Sequence, residues 1–271
     1  MAPATHGRLQ LATGITTAYT EDGDPDGHPA LLLLHAWAES RHSFARLVPL
    51  LPAWLRTIAV DLRGHGDADK PATGYGLPSL AADVVAAMDR LDLPSAVLVG
   101  SSSGGYVAQR VAVDAPRRVT ALVMAGAPRD LRGRPPFADE IAALEDPVDP
   151  EWVRRFVAGF TDAEDLPGWY LEQRVADALR LRAATWRATL EGLTGSIPPT
   201  DRGPLSAPAL VVSGDDDQLL DLGQTAALVA ALPGTRWLRY PNTGHAVLWE
   251  QPARLAADIT DFLATVVSRG P

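Results

Sequence analysis

Four short runs constrain this chain more than anything else in it: residues 30–35 (ALLLLH), 96–101 (AVLVGS), 119–125 (VTALVMA) and 209–213 (ALVVS). They are apolar at nearly every position rather than at every second one. Side chains alternate between the two faces of a strand, so a run with no polar face belongs in a sheet covered on both sides. Further strand runs lie at 8–13 and 15–20, which flank Gly14 as an antiparallel hairpin, at 56–61 (RTIAVD) and at 235–240. Segments with helical spacing fall between them, at 43–51, 79–91, 104–114, 222–232 and 253–267. This alternation predicts an α/β fold: a mostly parallel, eight-stranded sheet with helices on both faces.

The rhythm breaks after residue 128. Residues 129–205 hold no apolar strand run, only Pro and Gly breaks and helical stretches at 137–144, 151–159 and 171–193. An unstructured loop of about 75 residues is uncommon inside a compact domain. The expectation is therefore a helical cap at 129–205, inserted into one core built from 1–128 and 206–271. A chain of 271 residues suits one large domain with such an insertion.

Composition narrows the chemistry. The net charge of −9 makes the chain a poor binder of nucleic acid or of an anionic membrane. There is no cysteine, which removes thiolate catalysis, disulfides and Cys-based metal sites together. The first residues, MAPATHGRLQLATG, lack the apolar stretch of a signal peptide, and no run approaches the length of a membrane span. A cytoplasmic protein is the expectation. A homo-oligomer is left open.

The strand at 96–101 passes through Gly100-Ser101-Ser102-Ser103-Gly104-Gly105 into a helical segment. A G-x-S-x-G at a strand–turn–helix junction places a serine on a sharp turn, with small residues where strand and helix pass close. Of the three serines only Ser102 has glycine both two before and two after it. A serine hydroxyl is a weak nucleophile and needs a positioned base. Among six histidines His245 fits best, in Pro241-Asn242-Thr243-Gly244-His245 after the last strand, where side chains reach the C-terminal edge of the sheet. The supporting carboxylate is expected after the strand at 209–213, in Gly214-Asp215-Asp216-Asp217. Asp217 is the first choice, Asp216 the second, and Asp215 is read as capping the turn. Acyl transfer also requires donors for a developing oxyanion. One is the N–H of Ser103, at a helix N-terminus; the other should come from the loop His35-Ala36-Trp37-Ala38-Glu39-Ser40.

With these features in order, the sequence resembles the α/β-hydrolase superfamily, of the serine carboxylesterase type. The loop His35–Ser40, Asp61-Leu62-Arg63-Gly64-His65-Gly66, the turn around Ser102, Gly214-x-x-Asp217, Gly244-His245 and Glu250-Gln251-Pro252 all match. The resemblance covers essentially the whole chain. It implies the α/β-hydrolase fold, a catalytic triad of Ser102, Asp217 and His245, and oxyanion donors at Trp37 and Ser103. It implies structural roles for His35, Asp61 and Arg63, and no metal or organic cofactor. Two positions depart from the pattern: Ala36 replaces a customary glycine and Ala68 a customary serine. Loop and turn most resemble the capped group of aryl esterases, cofactor-free perhydrolases or haloperoxidases, and 3-oxoadipate enol-lactonases. The implied activity is hydrolysis of carboxylic esters or lactones of small to medium hydrophobic substrates through an acyl-enzyme. A perhydrolase or haloperoxidase, and a hydrolase-fold receptor with little turnover, are the alternatives. Tyr106, Trp186 and Trp249 are the aromatic residues expected against the substrate.

Overall fold

In a computed structural model that describes residues 4–161 and 166–267, eight strands form one sheet. They are β1 (Thr5–Gln10), β2 (Thr16–Gly23), β3 (Leu31–Leu34), β4 (Arg56–Val60), β5 (Ala96–Ser101), β6 (Val119–Ala125), β7 (Ala209–Gly214) and β8 (Arg236–Tyr240). The spatial order is β1-β2-β4-β3-β5-β6-β7-β8. β1 pairs antiparallel with β2, and β2 with β4; every other pairing is parallel.

The all-apolar runs are explained by what covers them. Leu32 and Leu34 of β3, Leu98 of β5 and Val211 of β7 join one core with α1 (Leu77–Arg90), α2 (Ser103–Asp114) and Leu228 of α7 (Leu222–Ala230). Their sequence neighbours Leu31, Leu33, Val97, Val99, Leu210 and Val212 face the other way, against α9 (Pro252–Val267) and the helices between β6 and β7. Helix α1 shows the complementary pattern: Leu77, Leu80, Ala81, Val84 and Met88 are buried, a stripe at helical spacing.

Between β6 and β7 lie α3 (Ala138–Ala142), α4 (Pro150–Ala158), α5 (Gly168–Ala178) and α6 (Ala183–Thr194). The single helical stretch expected at 171–193 is two helices. The chain turns between them, burying Leu181, and α6 starts where the Ala183 N–H finds Asp146 Oδ1 at 2.8 Å. The helical segment expected at 43–51 is two short 3-10 turns, Arg41–Arg46 and Val48–Leu50. Ser40 Oγ caps the first by accepting from the His42 N–H at 3.2 Å, and Pro49 interrupts donation where the second begins. The short helix α8 (Val247–Glu250) precedes the long segment expected at 253–267. Among the described residues no helix is long and apolar enough to cross a membrane.

Candidate active site

β5 ends at Ser101 and α2 begins at Ser103, so Ser102 alone makes the turn. Its φ of 47° and ψ of −119° lie where a side chain is strained, at a cost of order 1–3 kcal/mol. The turn is held by Ser102 N–H donating to the Ala125 carbonyl at 2.8 Å. The flanking glycines are required by contact. A Cβ on Gly100 would strike the backbone of Gly105, and one on Gly104 the carbonyl of Leu34. Strand and helix thus approach closely enough to expose the serine at the sheet's C-terminal edge.

Two other loops at that edge meet it. His245 Nε2 lies 2.9 Å from Ser102 Oγ, and His245 Nδ1 lies 2.8 Å from Asp217 Oδ2. The other oxygen, Asp217 Oδ1, accepts the N–H groups of Leu219 and Leu220, each at 2.8 Å. The carboxylate is therefore fixed from behind while its free edge faces the imidazole. Asp216, beside it, is exposed and makes no such bond; its own N–H donates to the Thr243 carbonyl. Glu250 Oε2 accepts the Gly244 N–H at 2.8 Å and ties the histidine loop to α8. An imidazole between a serine hydroxyl and an anchored carboxylate can take the hydroxyl proton while the carboxylate stabilises the imidazolium.

The loop after β3 is held by buried polar groups. His35 accepts the Leu62 N–H at its Nε2 (2.9 Å) and its Nδ1 lies 2.7 Å from the Ala36 carbonyl, which sets the tautomer. Burial pushes its pKa down to about 4. Burial likewise takes the neighbouring His65 down to about 3. Asp61 accepts from the Arg41 guanidinium and from the N–H of Arg41 and Asp67, and Arg63 grips Asp83 with two bonds of 2.7 Å. The N–H of Trp37 donates to Ser103 Oγ at 2.7 Å, so in this state the hydroxyl of Ser103 occupies a donor expected to face substrate.

A cavity of about 230 Å³ opens over Ser102 and His245, walled by Trp37, Leu131, Phe137, Phe160, Leu190, Leu219 and Trp249. Of the three aromatic residues expected to touch substrate, only Trp249 lies on it. Trp186 is fully buried beneath Trp37, Trp152 and Phe156, where it forms the centre of an edge-to-face cluster. Tyr106 is fully buried in the core under the sheet, on the inward face of α2. Tyr106 lies close to Ser102 in sequence and Trp186 lies in the expected cap, but both side chains point into packing. Phe137 was missed: it stacks on Trp37 at 5.6 Å between ring centres, yet it follows Pro135-Pro136, where no periodicity marks it. Glu39 was also missed as a wall residue; it is buried, which pushes its carboxyl above the usual range against the opposing pull of Arg174.

A second cavity, of about 380 Å³, reaches His245 from another side. Pro136, Phe137, Phe160 and Leu219 stand between the two and line both.

Comparison with known proteins agrees with this fold. A pimeloyl-[acyl-carrier protein] methyl ester esterase of Stenotrophomonas maltophilia is 31% identical over 88% of this chain and 94% of its own. A non-heme chloroperoxidase of Streptomyces lividans is 28% identical over 95% of this chain and 99% of its own. The enol-lactonase of Burkholderia xenovorans LB400 superposes with a TM-score of 0.86 at 21% identity, covering 95% of this chain and all of that one. The family model described as the alpha/beta hydrolase fold matches residues 29–188, and with the eight-stranded sheet beneath it the chain belongs to that family.

Proposed function

We propose that this protein is a serine hydrolase of carboxylic esters or lactones with small to medium hydrophobic acyl groups. The observation that carries the reading is the unbroken chain Ser102–His245–Asp217, at 2.9 and 2.8 Å, on the floor of a cavity with aromatic and aliphatic walls. In this reading Ser102 Oγ attacks the ester carbonyl as His245 takes its proton. The C–O bond to the alcohol breaks, and His245 returns the proton to the leaving oxygen. Water then attacks the acyl-enzyme with the same histidine as base, and Ser102 is regenerated. The N–H groups of Ser103 and Trp37 bind the oxyanion once the carbonyl oxygen displaces the Ser103 hydroxyl from Trp37. Residues 129–205 act as a cap; Leu131, Phe137, Phe160 and Leu190 from this segment supply much of the apolar wall. The cavity walls support an apolar acyl group, since such sites bind chiefly by burying apolar surface.

The test is fluorophosphonate labelling of wild type and Ser102→Ala, with hydrolysis of p-nitrophenyl esters of two to twelve carbons by the same pair. Labelling and turnover confined to wild type, with shorter esters preferred, are expected. Label retained by Ser102→Ala, or preference for charged or long acyl groups, overturns the reading. The similarity to a chloroperoxidase favours one second reading, in which hydrogen peroxide replaces water at the acyl-enzyme and releases a peracid. Bromination of monochlorodimedone in acetate, bromide and peroxide, dependent on Ser102, is its measurement.

A further inference from the structure

The two cavities that meet at His245 are chemically unlike. The first touches Ser102, Ser103 and Trp37. The second touches His245 and Gly244 but none of those three, and its outer wall carries Glu140, Arg155, Asp216 and Gln218. We propose that this second cavity is the binding site for the alcohol part of the ester, and that it selects a neutral alcohol bearing further hydroxyl groups. The inference rests on the serine-hydrolase reading given above.

The placement follows from proton transfer. In the tetrahedral adduct the oxyanion lies against the donors beside Ser102, and the leaving oxygen must lie within reach of His245 Nε2. The substituent on that oxygen therefore extends into whichever space adjoins His245 without adjoining the oxyanion donors. Only the second cavity does so among those described. The phenyl rings of Phe137 and Phe160 divide this space from the acyl side; Phe160 lies against the imidazole itself, at 6.3 Å between ring centres.

The selectivity follows from unspent hydrogen-bonding groups. Among the described residues the guanidinium of Arg155 and the carboxylate of Asp216 have no hydrogen-bond or ion-pair partner in the protein; both residues are exposed, so an alcohol hydroxyl reaches them by replacing water. One is a donor only and the other an acceptor only, and they stand on different segments around one space. A hydroxyl both donates and accepts, so a polyol can satisfy both at once. Among the described lining residues Glu140 and Asp216 against Arg155 sum to one net negative charge, which disfavours an anionic alcohol. This also gives Asp216 a place that its neighbour Asp217 does not fill.

The test holds the acid constant and varies the alcohol, comparing glyceryl monobutyrate with ethyl butyrate. Both form the same butyryl-enzyme, so kcat/KM reports acylation and hence the alcohol site. The expected result is a preference for the glyceryl ester of about tenfold, the size of one or two net hydrogen bonds. The ratio should fall to about threefold in Arg155→Ala and in Asp216→Ala, which lie on different elements, and to near one when both are replaced. Reversal gives an independent reading. Butyryl-enzyme formed from p-nitrophenyl butyrate should transfer to added glycerol, His245 taking the proton of the attacking hydroxyl and returning it to Ser102. The ratio of glyceride to butyrate should drop in the same two variants. A wild-type ratio near one, or a preference that both variants keep, overturns the proposal. Failure of wild type to hydrolyse p-nitrophenyl butyrate in a Ser102-dependent way overturns instead the reading beneath it, and the alcohol site with it.

Discussion

At the scale of single residues the hydrogen-bond pattern separates neighbours that the sequence leaves nearly equal. Asp216 and Asp217 are both carboxylates on one turn, but only Asp217 has one oxygen fixed by two backbone donors and the other on His245. Replacing it by Asn keeps the shape and loses the charge that supports an imidazolium. Asp217→Asn is expected to lower kcat on p-nitrophenyl butyrate by about 10³–10⁴-fold. Asp216→Asn should leave kcat within a few-fold; steady-state kinetics on the two variants checks both. Ser103 invites a second measurement. Its hydroxyl accepts the Trp37 N–H, and in the proposed mechanism a substrate carbonyl replaces it there. Ser103→Ala removes that competitor, so kcat/KM should rise by about two- to tenfold, the worth of one net hydrogen bond. A comparable fall would mean that the hydroxyl itself donates to the oxyanion. Ser102 and His245 were legible in the sequence because their spacing answers a mechanical requirement, glycine on both sides of a tight turn and a histidine past the last strand. Trp186 and Tyr106 were not, because a large aromatic side chain suits a cavity wall and a core equally, and only packing distinguishes them.

At the scale of elements the site depends on how closely β5, α2 and β3 approach. Gly104 lies where any side chain would enter the Leu34 carbonyl, so relief requires moving α2 away from the sheet. Overpacking of this kind typically costs about 1–3 kcal/mol. Gly104→Ala is expected to lower the thermal midpoint by several degrees and to reduce fluorophosphonate labelling more than stability alone explains. A variant that labels at the wild-type rate would show that the turn tolerates the shift. The strands were the most readable elements, since a run apolar on both faces has one comfortable environment. Helix limits between β6 and β7 were less so. The break between α5 and α6 comes at Leu179-Arg180-Leu181-Arg182, which has helical residues throughout; the Asp146 side chain, distant in sequence, fixes where α6 begins. Trp249, in α8, reaches the cavity because that short helix follows His245 directly.

At the scale of the whole molecule two buried histidines set the response to acid. Burial holds His35 at about 4 and His65 at about 3, against an ordinary value near 6.5. Below about pH 6.5 the unfolded chain takes up protons that the folded chain refuses, so the unfolded state binds more protons and stability falls as pH falls. Each unit of difference corresponds to about 1.4 kcal/mol. Glu39, whose carboxyl pKa is raised by burial, acts in the opposite sense, but two rings outweigh one carboxyl. The urea midpoint should therefore decline from about pH 7 to 4.5, and a midpoint that rises over that range would contradict the buried neutral state of both rings. The same rings brace the loop that carries Trp37, so acid should weaken labelling of Ser102 before the sheet unfolds. A different consequence follows from the order of the strands. β6 and β7 are hydrogen-bonded neighbours, with Leu122 opposite Ala209 and Ala125 opposite Val212, although α3 to α6 come between them in sequence. The long excursion leaves and rejoins the sheet at one seam, closed by the strands themselves whatever is threaded between. It is thus an exchangeable part: a segment of another length or composition could be grafted at that seam, resetting the wall of the cavity over Ser102 while the register that aligns Ser102 with His245 stays untouched.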